Sequence, residues 1–181
     1  LWRCPCCGQL NRRRCVAHVI VSANSLIEQG RELYFVTLTS HERLKTTEAT
    51  LRVFRDAWPT LHKRINRAFG RVAYYAVPER HKDGRLHCHA IVDTRIDAKW
   101  LKSAAREVGL GWRVESERVQ SPLRAGLYMG KELTKQLGLH EWPERFRHYP
   151  TSQNWPKLPE PVLPPGWEFG KLSNETAPES E

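Results

Sequence analysis

The chain has 181 residues and a mass of 21.0 kDa, and its 29 Lys and Arg residues outnumber its 20 Asp and Glu residues, giving a formal net charge of +9. This length fits one globular domain with flanking segments. Because 40% of the residues are hydrophobic and 27% are charged, we expect a packed core and exclude wholesale disorder. No apolar run is long enough for a membrane span, and none is typical of a signal peptide. The positive charge favours a partner that carries phosphates.

Four of the five cysteines lie within the first 15 residues. Cys4 and Cys7 form one pair of soft ligands, and Cys15 with His18 forms a second pair. Together they are a candidate tetrahedral zinc site. The alternative is a set of reduced thiols in a mobile tail. The start at Leu1 instead of a methionine leaves open that residues or further ligands are missing upstream.

The pattern after residue 30 predicts strands and helices in the order βαββαβα. Four strands are predicted from their β-branched and aromatic residues. They cover residues 33–40, 72–79, 86–93 and 112–119. Apolar residues recur every three or four positions after Thr46, Asp97 and Ser121, which predicts three helices capped by these residues. Pro59 is expected to kink or divide the first of them.

This order is typical of a split βαβ, or ferredoxin-like, α+β fold, with an antiparallel sheet and helices on one of its faces. The predicted fold occupies residues 31–138, after a Cys-rich, basic segment at 1–30. Residues 139–170 are rich in Trp and Pro and are predicted to wrap over the domain as extended chain. Residues 171–181 are polar and predicted to be disordered.

The sequence His87-Cys88-His89 lies on the predicted third strand, where alternate residues share a face. Both imidazoles therefore point the same way and the thiol points opposite. Two such histidines can bind one metal ion, although strand histidines also occur as ordinary surface or packing residues. If residues 82–84 form a three-residue loop with a left-handed glycine, Glu79 lies opposite His87 and becomes a third ligand. A two-residue turn would place Glu79 beside Cys88 instead.

Tyr128 and Lys131 stand three positions apart on the last predicted helix, and Arg124 and Lys135 lie close to the same stripe. A tyrosine hydroxyl has an ordinary pKa of about 10, so it needs a nearby cation to become a nucleophile. Lys131 and a histidine-bound metal would supply that positive charge. The alternative is a surface tyrosine beside a lysine that extends into solvent.

Three segments resemble, in order, the motifs of rolling-circle replication initiators, the Rep proteins of the HUH endonuclease superfamily, in the form found in single-stranded DNA phages and small plasmids. The segments are FVTLTS at 35–40, GRLHCHAIV at 84–92 and LYMGKELTK at 127–135. The resemblance implies that His87, His89 and Glu79 hold Mg²⁺ or Mn²⁺. It also implies that Tyr128 attacks a phosphate of single-stranded DNA while Lys131 steadies the charge. The expected products are a 5′-phosphotyrosine link and a free 3′-hydroxyl.

The resemblance further implies single-stranded DNA at a replication origin as the substrate, and a host polymerase and helicase as partners, in the cytoplasm of the host cell. Arg124, Lys135, Thr37 and Thr39 are the expected DNA contacts. The tyrosine follows the histidines, which is also the order in single-tyrosine transposases, so transposition is one alternative. A zinc-stapled, RRM-like module that binds nucleic acid without cutting it is the other.

Overall fold

The computed structural model describes residues 5–135 and 149–158 of the chain. Within these ranges it is an α+β fold of four helices and four strands. The helices are α1 (Pro5–Glu28), α2 (Thr47–Phe69), α3 (Ala98–Arg106) and α4 (Pro122–Lys135), and the strands are β1 (Tyr34–Arg43), β2 (Tyr74–Arg80), β3 (Arg85–Val92) and β4 (Arg113–Arg118). The predicted order is therefore found from β1 onward, and a helix precedes it. Among these helices, none is both long and apolar enough to cross a membrane.

The four strands form one sheet in the order β2-β3-β1-β4. Every neighbouring pair is antiparallel. Each βαβ unit leaves a gap that a strand of the other unit fills, which is the ferredoxin-like arrangement. The predicted fold class is confirmed.

Helices cover both faces of the sheet, so the prediction that they lie on one face is wrong. Val36 and Leu38 face α2 and α3, whereas Tyr75, Val77 and Ile91 face α1 and α4. The second set of side chains is as apolar as the first, and it must also be removed from water. Its cover comes largely from α1, which the cysteine pattern assigns to a separate N-terminal segment. We call the sheet surface on the α1 and α4 side the site face.

Helix α2 begins and continues for reasons that are local in the sequence. The Thr46 hydroxyl accepts a hydrogen bond from the Ala49 N–H at 3.1 Å, which confirms the predicted N-cap. Pro59 lies inside the helix and does not divide it. Its ring is exposed, while Trp58 and Leu61 beside it are buried in the core. This packing holds the helix together across the proline, against its local preference.

Residues 149–158 run along the outer edge of β2. The Pro150 carbonyl accepts a hydrogen bond from the Ala76 N–H at 3.0 Å, and the Trp155 side chain is buried against the site face. The segment thereby covers a strand edge that would otherwise expose unpaired backbone groups. It agrees with the extended wrap predicted for 139–170. The rest of that range and the tail predicted to be disordered lie outside the described residues.

Candidate active site

The β2–β3 hairpin positions the three candidate metal ligands. Gly84 has a φ of +87°, and its N–H donates to the carbonyl of His81 at 2.9 Å. A glycine is favoured here because this backbone conformation is costly for other residues. The resulting three-residue loop pairs Glu79 with His87 across the strands. The predicted loop is confirmed, and with it the placement of Glu79, His87 and His89 on one face of the sheet.

The three side chains converge on one point. One ligand atom from each of Glu79, His87 and His89 lies within 4.8 Å of the other two. His89 Nε2 is 3.0 Å from a carboxylate oxygen of Glu79, and the Thr37 hydroxyl is 3.2 Å from His89 Nδ1. Glu79 and His89 are 7% and 2% exposed, so little movement is available to either. Thr37 orients the imidazole as outer partners of metal-bound histidines commonly do.

The donor set suits a divalent cation. Ligands about 2.1 Å from an octahedral ion lie about 3 Å apart when adjacent, which is the separation of His89 and Glu79. Two imidazoles and one carboxylate favour a transition ion such as Mn²⁺ over Mg²⁺, which prefers oxygen ligands. The pKa of His87 is lowered by burial, and then by the neighbouring His81 and His89. His87 is therefore held in the neutral form that binds metals.

A second ring supports His87 from outside. The imidazole of His81 stacks on that of His87 with ring centres 4.6 Å apart and planes 4° from parallel. His81 Nδ1 lies 3.1 Å from a carboxylate oxygen of Asp83 in the same hairpin loop. The exposed edge of the cluster is thus lined by a histidine that the loop itself holds in place.

Tyr128 on α4 faces this cluster. Its ring centre is 5.3 Å from that of His89 and 5.2 Å from that of Phe35, and it meets both rings nearly edge-on. The side chain is 40% exposed, so a polymer can reach the hydroxyl. Lys131 lies one helical turn further along α4 and is exposed. The structure therefore brings the tyrosine and the three candidate ligands together, as the sequence reasoning predicted.

Two glycines set the distance between α4 and α1, and so the position of Tyr128. A Cβ built on Gly126 would lie 2.8 Å from Ile20 Cγ1, and one built on Gly130 would lie under 3.0 Å from Val16 Cγ2. No side chain fits at either position without moving α1. The tyrosine lies midway between the two glycines, on the same helix, so this close packing brings it to the sheet.

The residues predicted to contact DNA divide into three groups. Thr37 and Arg124 line a groove of about 680 Å³ between β4 and α4, next to Tyr128. Thr39 is buried and lies opposite His87 in the sheet register, so its position fits support of the site. Of Lys135, the described part of the chain includes the helical backbone alone.

The groove contains residues that the sequence reasoning missed. Phe35 forms its wall beside Tyr128, and Glu115 and Glu117 line it from β4. Strand pairing places Phe35 opposite Glu117 and Thr37 opposite Glu115. The alternation of apolar and polar residues on β1 was a usable signal for Phe35. The carboxylates had no such signal, because their neighbours follow from the sheet order.

The four predicted zinc ligands are not brought together. Cys15 Sγ lies 2.8 Å from the Tyr75 hydroxyl, and His18 Nε2 donates to the Pro156 carbonyl at 2.9 Å. Helix α1 passes through Cys7 and Cys15, which places them about 12 Å apart along its axis. Cys4 and the side chain of Cys7 lie outside what the structure describes. Zinc binding at the start of the chain stays a prediction, and it would require α1 to unwind.

The fold and the site define a ferredoxin-like domain whose sheet presents a two-histidine, one-carboxylate cluster to a tyrosine on a flanking helix. The family model of the replication-associated protein ORF2 matches residues 33–137, more than half of the chain. The chain therefore belongs to this family of replication-associated proteins, and its role lies in replication.

A solved structure similar to this chain is that of the hypothetical protein ORF119 from Sulfolobus islandicus rod-shaped virus 1. The TM-score is 0.39 and the identity 19%, over 63% of this chain and 90% of that chain. No curated protein sequence is significantly similar to the chain.

Proposed function

We propose that this chain is an HUH-type DNA endonuclease and strand transferase, which nicks single-stranded DNA at a replication origin and initiates rolling-circle replication. One observation carries the proposal. The ligand atoms of Glu79, His87 and His89 lie within 4.8 Å of one another, and the ring of Tyr128 lies 5.3 Å from that of His89. A metal cluster and a nucleophile are thus available to one phosphate.

Glu79, His87 and His89 would hold the ion, Mg²⁺ or Mn²⁺. When bound, such an ion polarises a phosphate oxygen and offsets the charge that develops on it. The buried carboxylate and the hydrogen bond with Thr37 keep the ligand atoms aimed at one point. The exposed hairpin edge at His81 leaves room for the DNA strand to approach.

Tyr128 acts as the nucleophile. Its oxygen bonds to the phosphorus, and the bond from phosphorus to the 3′ oxygen breaks. The tyrosine loses its proton and the 3′ oxygen gains one, so the number of phosphoester bonds is unchanged. The products are a 5′-phosphotyrosine and a 3′-hydroxyl, which a host polymerase can extend once a host helicase opens the duplex. Lys131, one turn from Tyr128, stabilises the phenolate that forms during the attack.

Arg124 supplies a backbone contact where the strand leaves Tyr128. It lines the same groove as Tyr128 and is exposed, so its charge is available to a phosphate. The acidic Glu115 in this groove would repel a phosphate, but it can accept a hydrogen bond from the amino group of a base. The groove is therefore better suited to a base than to the sugar-phosphate chain.

A covalent adduct tests the proposal. The protein is incubated with Mn²⁺ and a pool of random single-stranded oligonucleotides, and SDS-resistant adducts are mapped by mass spectrometry. We expect phosphotyrosine at Tyr128, no adduct after Tyr128→Phe, and a large loss after Glu79→Gln. The matched control is Tyr34→Phe, because Tyr34 lies on β1 but packs on the opposite face of the sheet. An adduct that persists in Tyr128→Phe would refute the assignment.

Two other outcomes identify the alternatives. Oligonucleotide binding that survives EDTA, with no cleavage of any sequence in the pool, would favour the RRM-like binding module. Joining of hairpin ends in preference to nicking of a linear origin would favour a transposase. Both outcomes use the same preparation and the same oligonucleotide pool.

A further inference from the structure

A tryptophan, an arginine and a histidine form a cluster next to the candidate metal centre. The guanidinium carbon of Arg85 is 4.5 Å from the ring centre of Trp112, and the His41 ring meets that of Trp112 nearly edge-on at 4.9 Å. Arg85 precedes His87 by two positions on β3, so their side chains are neighbours on the site face. The cluster thus borders the metal centre on the side away from Phe35.

The indole of Trp112 is open to solvent. It is 50% exposed, whereas Trp58 and Trp155 are 2% and 3% exposed. Among the large hydrophobic side chains exposed in the described ranges, Trp112 and Tyr128 are the two aromatic ones. They lie on opposite sides of the candidate metal centre. A solvent-exposed indole beside a cation is the surface on which nucleic-acid bases stack.

The cluster is held in place before any ligand binds. Arg85 donates to the His41 carbonyl at 3.1 Å and lies 3.4 Å from a carboxylate oxygen of Asp83, and its side chain is 14% exposed. The Trp112 N–H donates to the Thr39 carbonyl at 3.0 Å. A rigid platform loses little conformational entropy when a base stacks on it, which favours binding.

The turn before β4 brings the tryptophan to this position. A Cβ on Gly111 would lie within 3.0 Å of backbone atoms of Arg106, so the chain passes against the end of α3 with no room for a side chain. Gly111 also bridges to Thr39, the residue that pairs with His87. The backbone before Trp112 is therefore tied to the strand that supports the metal ligands.

We propose that Trp112 is a stacking platform for a base of the single-stranded DNA next to the scissile phosphate. Arg85 holds the indole from one side and adds positive charge to the binding surface. The inference rests on the proposed function for the identity of the strand. It adds a DNA-binding site on the side of the metal centre opposite to the groove at Tyr128.

Binding, measured without cleavage, tests this platform. All proteins carry Tyr128→Phe and are kept in EDTA, and the probe is a fluorescent oligo-dT of about 30 nucleotides at low salt, read by anisotropy. We expect Trp112→Ala to weaken binding about ten-fold, and Trp112→Phe to restore most of it, because the substituted ring still stacks. An oligonucleotide of the same length without bases should bind the parent and Trp112→Ala equally.

Two results would overturn the platform. One is equal affinity of the parent and Trp112→Ala for oligo-dT, which includes the case in which neither binds. The other is an equal loss on the DNA with and without bases, which would assign Trp112 to shaping the phosphate path. Neither result depends on adduct formation at Tyr128, so the platform and the nuclease proposal fail separately. Circular dichroism of each variant verifies that the fold is intact.

Discussion

The close packing of α1 on α4 predicts a change of sign between two genetic backgrounds. Gly130→Ala places a methyl group under 3.0 Å from Val16 Cγ2, about half an ångström or more inside a comfortable contact. Val16 is β-branched and has one strongly preferred helical rotamer, so it cannot rotate away. Overpacking of this kind costs about 1–3 kcal/mol. The gain in helix propensity from Gly to Ala is about 1 kcal/mol. The net destabilisation is therefore about 0–2 kcal/mol.

Removing the Val16 methyl groups isolates the second contribution. In a Val16→Ala background the nearest remaining neighbours of the new methyl are at 3.7 and 3.8 Å, which is ordinary contact. Gly130→Ala should then stabilise the protein by up to about 1 kcal/mol. The coupling energy between the two sites is about 1–3 kcal/mol, well above the error of a double-mutant cycle.

Urea denaturation of the four proteins, followed by far-ultraviolet circular dichroism, measures this coupling. Gly126→Ala is the matched control, because its new methyl meets the Val16 carbonyl oxygen at 3.2 Å and Ile20 at 2.8 Å. Val16→Ala removes neither contact, so Gly126→Ala should destabilise both backgrounds. The same free energy change for Gly130→Ala with and without the Val16 side chain would refute the packing argument.

Three further outcomes are expected. Thr37→Val should weaken Mn²⁺ binding about 10–100-fold in calorimetry because His89 loses its outer partner, and Thr37→Ser should not; equal affinities would contradict the role of the hydroxyl. Burial raises the pKa of Cys15 to about 11, so about one thiol in a thousand is ionised at pH 8, and iodoacetamide should label this residue after unfolding but not before. Rapid labelling of the folded protein would disprove its burial. Trp155→Ala should lower the free energy of unfolding by about 3–5 kcal/mol, and an unchanged urea midpoint would show that the 149–158 segment does not stabilise the fold.

The sequence by itself determined the features that depend on neighbours along the chain. The strand period of two places His87 and His89 on one face, and a glycine two positions before Leu86 sets the loop that brings in Glu79. The N-cap of α2 at Thr46 follows from the same kind of local chemistry. These relations span about ten residues or fewer, so backbone geometry alone settles them.

Only the tertiary structure decided the features that join distant segments. Helix α1 covers the site face because that face is apolar, yet its own cysteines gave a different impression. Tyr128 reaches His89 because Gly126 and Gly130 let α4 approach α1, a contact between segments about a hundred residues apart in the chain. Trp112 borders the metal centre for a similar reason, through the pairing of β1 with both β3 and β4. Such contacts depend on the packing of whole elements, whose spacing no local pattern encodes.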